Sequence, residues 1–134
     1  TATSRVSAKI IDDQRKNVAG KKQKSIDAML KLKEQAQQMK EILLKGDIDS
    51  IGRILDFGWQ YKKQMADSIS NELIDNAMAA GASGGKISGA GGGGFMFFYC
   101  PSTTRYRVID ALAAFGGKAK RYEFVNEGLK TWTM

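Results

Sequence analysis

Histidine is absent from this chain, and cysteine and proline each occur once. Without histidine there is no imidazole for general-base work and none to ligate a metal. The one cysteine, Cys100, can neither close an internal disulfide nor build a zinc site alone, and a lone thiol suits a reducing compartment such as the cytoplasm. Long apolar runs are missing too. The longest, Phe95 to Cys100, spans six residues, far short of the roughly 20 that a membrane helix needs. Thr1 to Gly20 is polar and mixed in charge, which does not read as a signal peptide.

Negative charge is in short supply, with 21 Lys and Arg against 14 Asp and Glu. The imbalance is local. Residues 1–45 carry 11 basic and 5 acidic side chains, whereas residues 46–134 carry 10 and 9. A basic third invites a nucleic-acid reading. However, Lys21, Lys22 and Lys24 are interrupted by Gln23, and no aromatic residue is interleaved to stack on bases. A solvated helix face accounts for such a pattern, and no nucleic-acid partner is expected.

What is present fits one domain. The chain has 134 residues, 43% of them hydrophobic and 26% charged, enough for a real core. Val6 and Ile10 give helical spacing from Ser4 to about Gln14, and Asn17 to Gly20 reads as a break. Lys24 to Lys45 has the strongest periodicity. Met29, Leu32, Ala36, Met39 and Leu43 form one stripe, widened by Ile26, Leu30 and Ile42. Gly46 stops that helix. A second runs from about Asp49 to Met65, so the two form an antiparallel hairpin. A short helix capped by Ser70 or Asn71 then runs to Gly81.

The texture changes after Gly81. Phe95 to Cys100 reads as an apolar strand closed by Pro101, Thr103 to Phe115 as a helix, and Lys118 to Asn126 as a strand by its alternation. The expected class is α+β, a small antiparallel sheet with helices on one face and a helical hairpin N-terminal to it. The sheet is expected from segments near Lys86, Phe95 to Cys100 and Lys118 to Val125.

One motif carries chemistry. Five of the six residues from Gly89 to Gly94 are glycine. Glycine admits positive φ and lets a ligand approach backbone amides without a Cβ in the way, so successive amides can form an anion nest. The run also satisfies the glycine spacing of a dinucleotide fingerprint, but that fingerprint needs a strand before it and a helix after it. Here a strand follows, and Phe95 stands where a Walker loop needs Lys. Both nucleotide motifs are rejected.

Lys86-Ile87-Ser88-Gly89-Ala90-Gly91-Gly92-Gly93-Gly94-Phe95 resembles the third motif of the GHMP kinases, the superfamily of galactokinase, homoserine kinase, mevalonate kinase and phosphomevalonate kinase. Thr3-Ser4-Arg5, Trp59 with Lys62-Lys63, Ser70-Asn71 with Ile74-Asp75, and Gly81-Ala82 with Gly84-Gly85-Lys86 look like the D-glycero-D-manno-heptose 7-phosphate kinase branch, and fucokinase-like domains share part of the pattern. Ala2 departs from it, standing where a glycine is expected.

The resemblance implies a ferredoxin-like C-terminal domain, residues 1–134, of a two-domain enzyme. The N-terminal domain, with the main ATP phosphate loop and the catalytic Asp, would lie outside this chain and would be its partner. The implied reaction is ATP- and Mg2+-dependent phosphorylation of a sugar or sugar phosphate, such as heptose 7-phosphate, galactose or a fucose-like sugar, in the cytoplasm. Ser88, Gly89, Ala90, Gly91, Gly92 and Gly93 would line the cleft beside the ATP phosphates. Arg5 and Lys86 are candidates for a substrate phosphate, with a surface ion pair and a strand-edge lysine as their plainer roles. No catalytic residue and no metal ligand is expected within the chain, and the fragment alone is expected to be inactive. A stand-alone ligand-binding or regulatory module on the same fold is the alternative. Trp59 and Tyr61 are expected in the core, and Cys100 as a small buried hydrophobe.

Overall fold

A computed structural model of the chain describes residues 4–65, 72–89 and 94–132, with side chains described from residue 8 onward in the first helix. The described elements are five helices and two strands: α1 (Ser4–Ala19), α2 (Gln23–Lys45), α3 (Ser50–Lys62), α4 (Glu72–Ala79), β1 (Gly84–Ile87), β2 (Met96–Tyr99) and α5 (Thr104–Ala113).

Local chemistry explains most of these boundaries. α1 runs past the break expected at Asn17, helped by an i,i+4 pair between Asp12 and Lys16 at 2.6 Å. Gly46 ends α2 in the left-handed region at φ +70, with Gly46 N–H bonded to the Leu43 carbonyl and Asp47 N–H to that of Ile42. Asp47 opens α3, because its carboxylate accepts from the Ser50 hydroxyl at 2.6 Å and the Ser50 amide at 3.3 Å. Gly81, at φ +111, closes α4. The caps expected for α4 at Ser70 and Asn71 lie outside the described residues.

The strands pair antiparallel with Gly84 opposite Tyr99, Gly85 opposite Phe98, Lys86 opposite Phe97 and Ile87 opposite Met96. Alternation sends Gly85, Ile87, Met96 and Phe98 to one face. There Ile87 joins Ile10 of α1, Trp59 of α3 and Ile74 of α4 in a buried cluster, with Met78, Met96 and Phe98 packed against it. A second cluster, Ala77, Ala82 and Val108, shares Met78 and Phe98 with the first and brings in α5. The helices bury this face, and α3 also reaches the Gly84 end of the other face, where Lys86 and Phe97 are exposed. Trp59 is 1% exposed, while Tyr61 is half-buried and tilted against Phe57 at 4.8 Å.

Two expectations are corrected. The residues of α2 that are buried are Ser25, Ala28 and Ile42, whereas Met29, Leu30, Leu43 and Leu44 are exposed. The helix meets α3 at small residues. A Cβ on Gly58 would stand 2.6 Å from the Gln35 amide carbon, and Gln35 donates to the Ile54 carbonyl at 3.2 Å. Gln35 of α2 thus lies close over Gly58 of α3. The second correction concerns Lys118 to Asn126. This segment is not a strand, and residues 118–132 are exposed without regular structure. Its alternation lacks a second buried face, since Phe124 and Val125 are 93% and 79% exposed. Tyr122 reaches back, edge-on to Phe97 at 5.4 Å. The sheet thus has two strands rather than three among the described residues.

Candidate functional site

The glycine run is the connection of the β1–β2 hairpin. Its neck is pinned where the Ser88 amide donates to the Phe95 carbonyl at 2.8 Å. Both shoulders of the loop take a left-handed backbone, Gly89 at φ +94 and Gly94 at φ +99. This conformation costs an L-residue with a side chain about 1 kcal/mol or more, and glycine very little. Neither position is crowded. A Cβ on Gly89 would find nothing within 4 Å, and one on Gly94 would meet only the Ser88 carbonyl at 4.0 Å. Glycine is required here by φ and not by packing. The loop tip, Ala90, Gly91, Gly92 and Gly93, lies outside the described residues.

The other candidates are dispersed around this neck. Ser88 is exposed at the end of β1, and its described contribution is the backbone bond to Phe95. Lys86 stands two residues earlier on the exposed face, opposite Phe97. Arg5 falls in the first turn of α1, and its side chain is outside the described part.

Sequence reasoning assigned no role to Lys62, yet it touches the loop. Its ammonium, at the last residue of α3, donates to the Gly89 carbonyl at 2.5 Å. The side chain is half-buried. Burial, and secondarily the charge of Lys86, push its pKa below the ordinary lysine value. No described carboxylate pairs with it; the ion pairs described are Asp12–Lys16, Lys31–Glu34 and Glu127–Lys130. Lys62-Lys63 did belong to the residues of the family resemblance. Nothing in a sequence, however, joins position 62 to position 89.

Other features bear on chemistry less. Cys100 is free and half-buried beside the Ala77–Val108 cluster, and desolvation pushes its thiol pKa up. Such a thiol is a poor nucleophile at neutral pH. A half-open hollow of about 350 Å³ at the end of α1 is lined by Asp13, Lys16, Asn17 and Lys22, none of them a loop residue. Among the described residues no three His, Cys, Asp or Glu side chains converge to hold a metal. No described helix is long and apolar enough to cross a membrane.

Comparison with known proteins decides the family. Residues 39–118 match the family described as GHMP kinases C terminal. The chain belongs to the GHMP kinase C-terminal family. The D-glycero-alpha-D-manno-heptose 7-phosphate kinase of Campylobacter jejuni is 38% identical over 129 residues, which cover 93% of this chain and 38% of that protein. The mevalonate kinase of Pyrococcus furiosus is 45% identical over 60 residues, 45% of this chain and 18% of that enzyme. The bifunctional fucokinase/GDP-fucose pyrophosphorylase of Arabidopsis thaliana is 33% identical over 73 residues, 52% of this chain and 7% of that protein. The GHMP domain thus spans well under half the length of the relatives it matches.

Proposed function

We propose that this GHMP domain forms the glycine-loop wall of the active-site cleft in an ATP-dependent kinase that phosphorylates a sugar or sugar phosphate. The observation that carries this reading is the hairpin neck. Left-handed glycines at both shoulders, a pinned Ser88–Phe95 pair and the Lys62 ammonium on the Gly89 carbonyl gather backbone and charge suited to an anion at the neck of the loop. The relative matched over most of the chain is named a heptose 7-phosphate kinase, which favours an acceptor that already carries a phosphate.

In this reading Ser88, Gly89, Ala90, Gly91, Gly92 and Gly93 face the ATP phosphates and the transferred group. Backbone amides there stabilise developing charge at no cost in reorganisation. Lys86 and Arg5 draw the phosphate of the acceptor, Arg5 through a bidentate guanidinium. Magnesium and most of the nucleotide are assigned, as the family resemblance implies, to an N-terminal kinase domain, the partner of this one, and the whole enzyme to the cytoplasm, where ATP and a reduced Cys100 are both at home.

Replacement of Gly91 or Gly92 by Val in the full-length enzyme tests the loop. A branched side chain blocks approach to the amides, and loss of one such donor costs on the order of 3 kcal/mol in the transition state, about a hundredfold in rate. The expected result is that loss per folded molecule, with a much smaller change in the melting transition. A lowered melting temperature with an unchanged rate would remove the loop from the active site.

A further inference from the structure

α3 and β1 run side by side in the same direction. Gly52 meets Gly84 at one end of the contact, and Lys62 meets Gly89 at the other. The two paths agree in length, since the helix between its contacts and the strand between its own each cover roughly 15 Å. Lys86 lies between those contacts, on the strand face where Gly84 touches α3. Its side chain is exposed.

Two ammoniums are thereby brought together beside the neck of the loop. Lys62 is half-buried, and its described bond goes to a neutral carbonyl. The described ion pairs hold other lysines, Lys16, Lys31 and Lys130. Asp56, earlier on α3, accepts from Gln60 at 3.0 Å. The charge of Lys86 is felt at Lys62, where it adds to the effect of burial in lowering the pKa. Like charges held close cost energy, and an anion between them reverses the sign of that term. Lys62 uses one of its three donors on Gly89, which leaves two for a ligand. Ser88, exposed and one alternation beyond Lys86, adds a hydroxyl at the same edge.

We propose that Lys62 and Lys86 together form a phosphate site, and that its ligand is the phosphate monoester already carried by the acceptor. A monoester has a charge of about −1.5 to −2 at pH 7, which two lysines match. The phosphates of ATP share their charge with magnesium instead. The identity of the ligand rests on the kinase reading above. The existence of the site does not, and the experiment separates the two.

Lys62→Met, Lys86→Met and Lys45→Met are made in the full-length protein. Lys45 is exposed at the far end of α2 and serves as the control for net charge. Inorganic phosphate is titrated against chloride at equal ionic strength while the lysine Cε resonances are followed by NMR. The signals of Lys62 and Lys86 should move together and saturate. Either substitution at the site should weaken phosphate binding about tenfold, the loss of one charge-assisted bond, and Lys45→Met should leave it unchanged. Lys86→Met carries the test if Lys62→Met fails to fold, because Lys86 is exposed. Kinetics then identify the ligand. KM for heptose 7-phosphate should rise about tenfold in Lys86→Met, with KM for ATP altered much less. Absence of a phosphate response at either lysine, or equal weakening by Lys45→Met, would overturn the site. A rise in KM for ATP alone would overturn the assignment to the acceptor. If the wild type phosphorylates no sugar phosphate while the titration behaves as expected, the phosphate site stands and the kinase reading falls.

Discussion

Gly84 of β1 lies directly against Gly52 of α3, so that a Cβ on Gly84 would stand 1.7 Å from the Gly52 carbonyl oxygen and 3.0 Å from the Asp56 amide nitrogen. Gly52 is equally crowded by the residue before Gly84, since a Cβ on Gly52 would stand 1.9 Å from the Ser83 hydroxyl oxygen. Two residues without side chains let helix and strand backbones touch. That contact sets the height at which α3 delivers Lys62 to the loop.

Gly84→Ala should accordingly destabilise the domain. The added methyl meets backbone, which cannot swing aside, and overpacking of this kind costs about 3 kcal/mol. Gly128→Ala is the control, because nothing lies within 4 Å of its Cβ, and a change there should stay within about 0.5 kcal/mol. Urea unfolding of both variants checks the pair. Equal midpoints would mean that α3 and β1 are not in contact in solution.

Lys62 should also leave a mark on the pH dependence of stability. Its folded pKa lies below the ordinary 10.5, through burial first and Lys86 second. As pH rises through the folded pKa toward 10.5, the unfolded chain still holds a proton that the folded chain has lost. Stability rises with pH wherever the unfolded state binds more protons. The wild type should therefore gain stability relative to Lys62→Met over that alkaline window. Lys16 and Lys31, whose pKa values are shifted up by Asp12 and Glu34, work in the other direction, but they are common to both proteins and cancel in the difference. Parallel curves for wild type and variant would show that Lys62 is solvated.

The 134-residue chain by itself should fold and yet transfer no phosphoryl group. Positioned phosphates, a metal and an oriented nucleophile are all needed for that reaction, and the family resemblance assigns the main phosphate loop and the catalytic Asp to an N-terminal domain. Circular dichroism and a coupled assay with ATP and heptose 7-phosphate test the two halves. Robust turnover by this chain would show that it holds a complete catalytic centre.

Much of this molecule could be read from the chain alone. Gly46, Gly81 and the Phe95–Cys100 run punctuate it through backbone preferences that act locally, and the helices and β2 lie close to where those preferences put them. The motif from Lys86 to Phe95 likewise pointed to the family without any coordinates. Tertiary structure decided which third of each helix is buried. Periodicity marks an apolar stripe in α2, but tertiary packing buries Ile42 of it together with Ser25 and Ala28 and leaves Leu30 and Leu43 exposed. It also decided that alternation after Lys118 would not become a strand, because alternation needs a partner ladder and a second layer to bury against. The meeting of Lys62 with Gly89, 27 positions apart, belongs to the same class. Local sequence sets local geometry, whereas contacts between distant residues depend on how closely two elements can approach, and here bare glycine backbone at positions 52 and 84 allowed that approach.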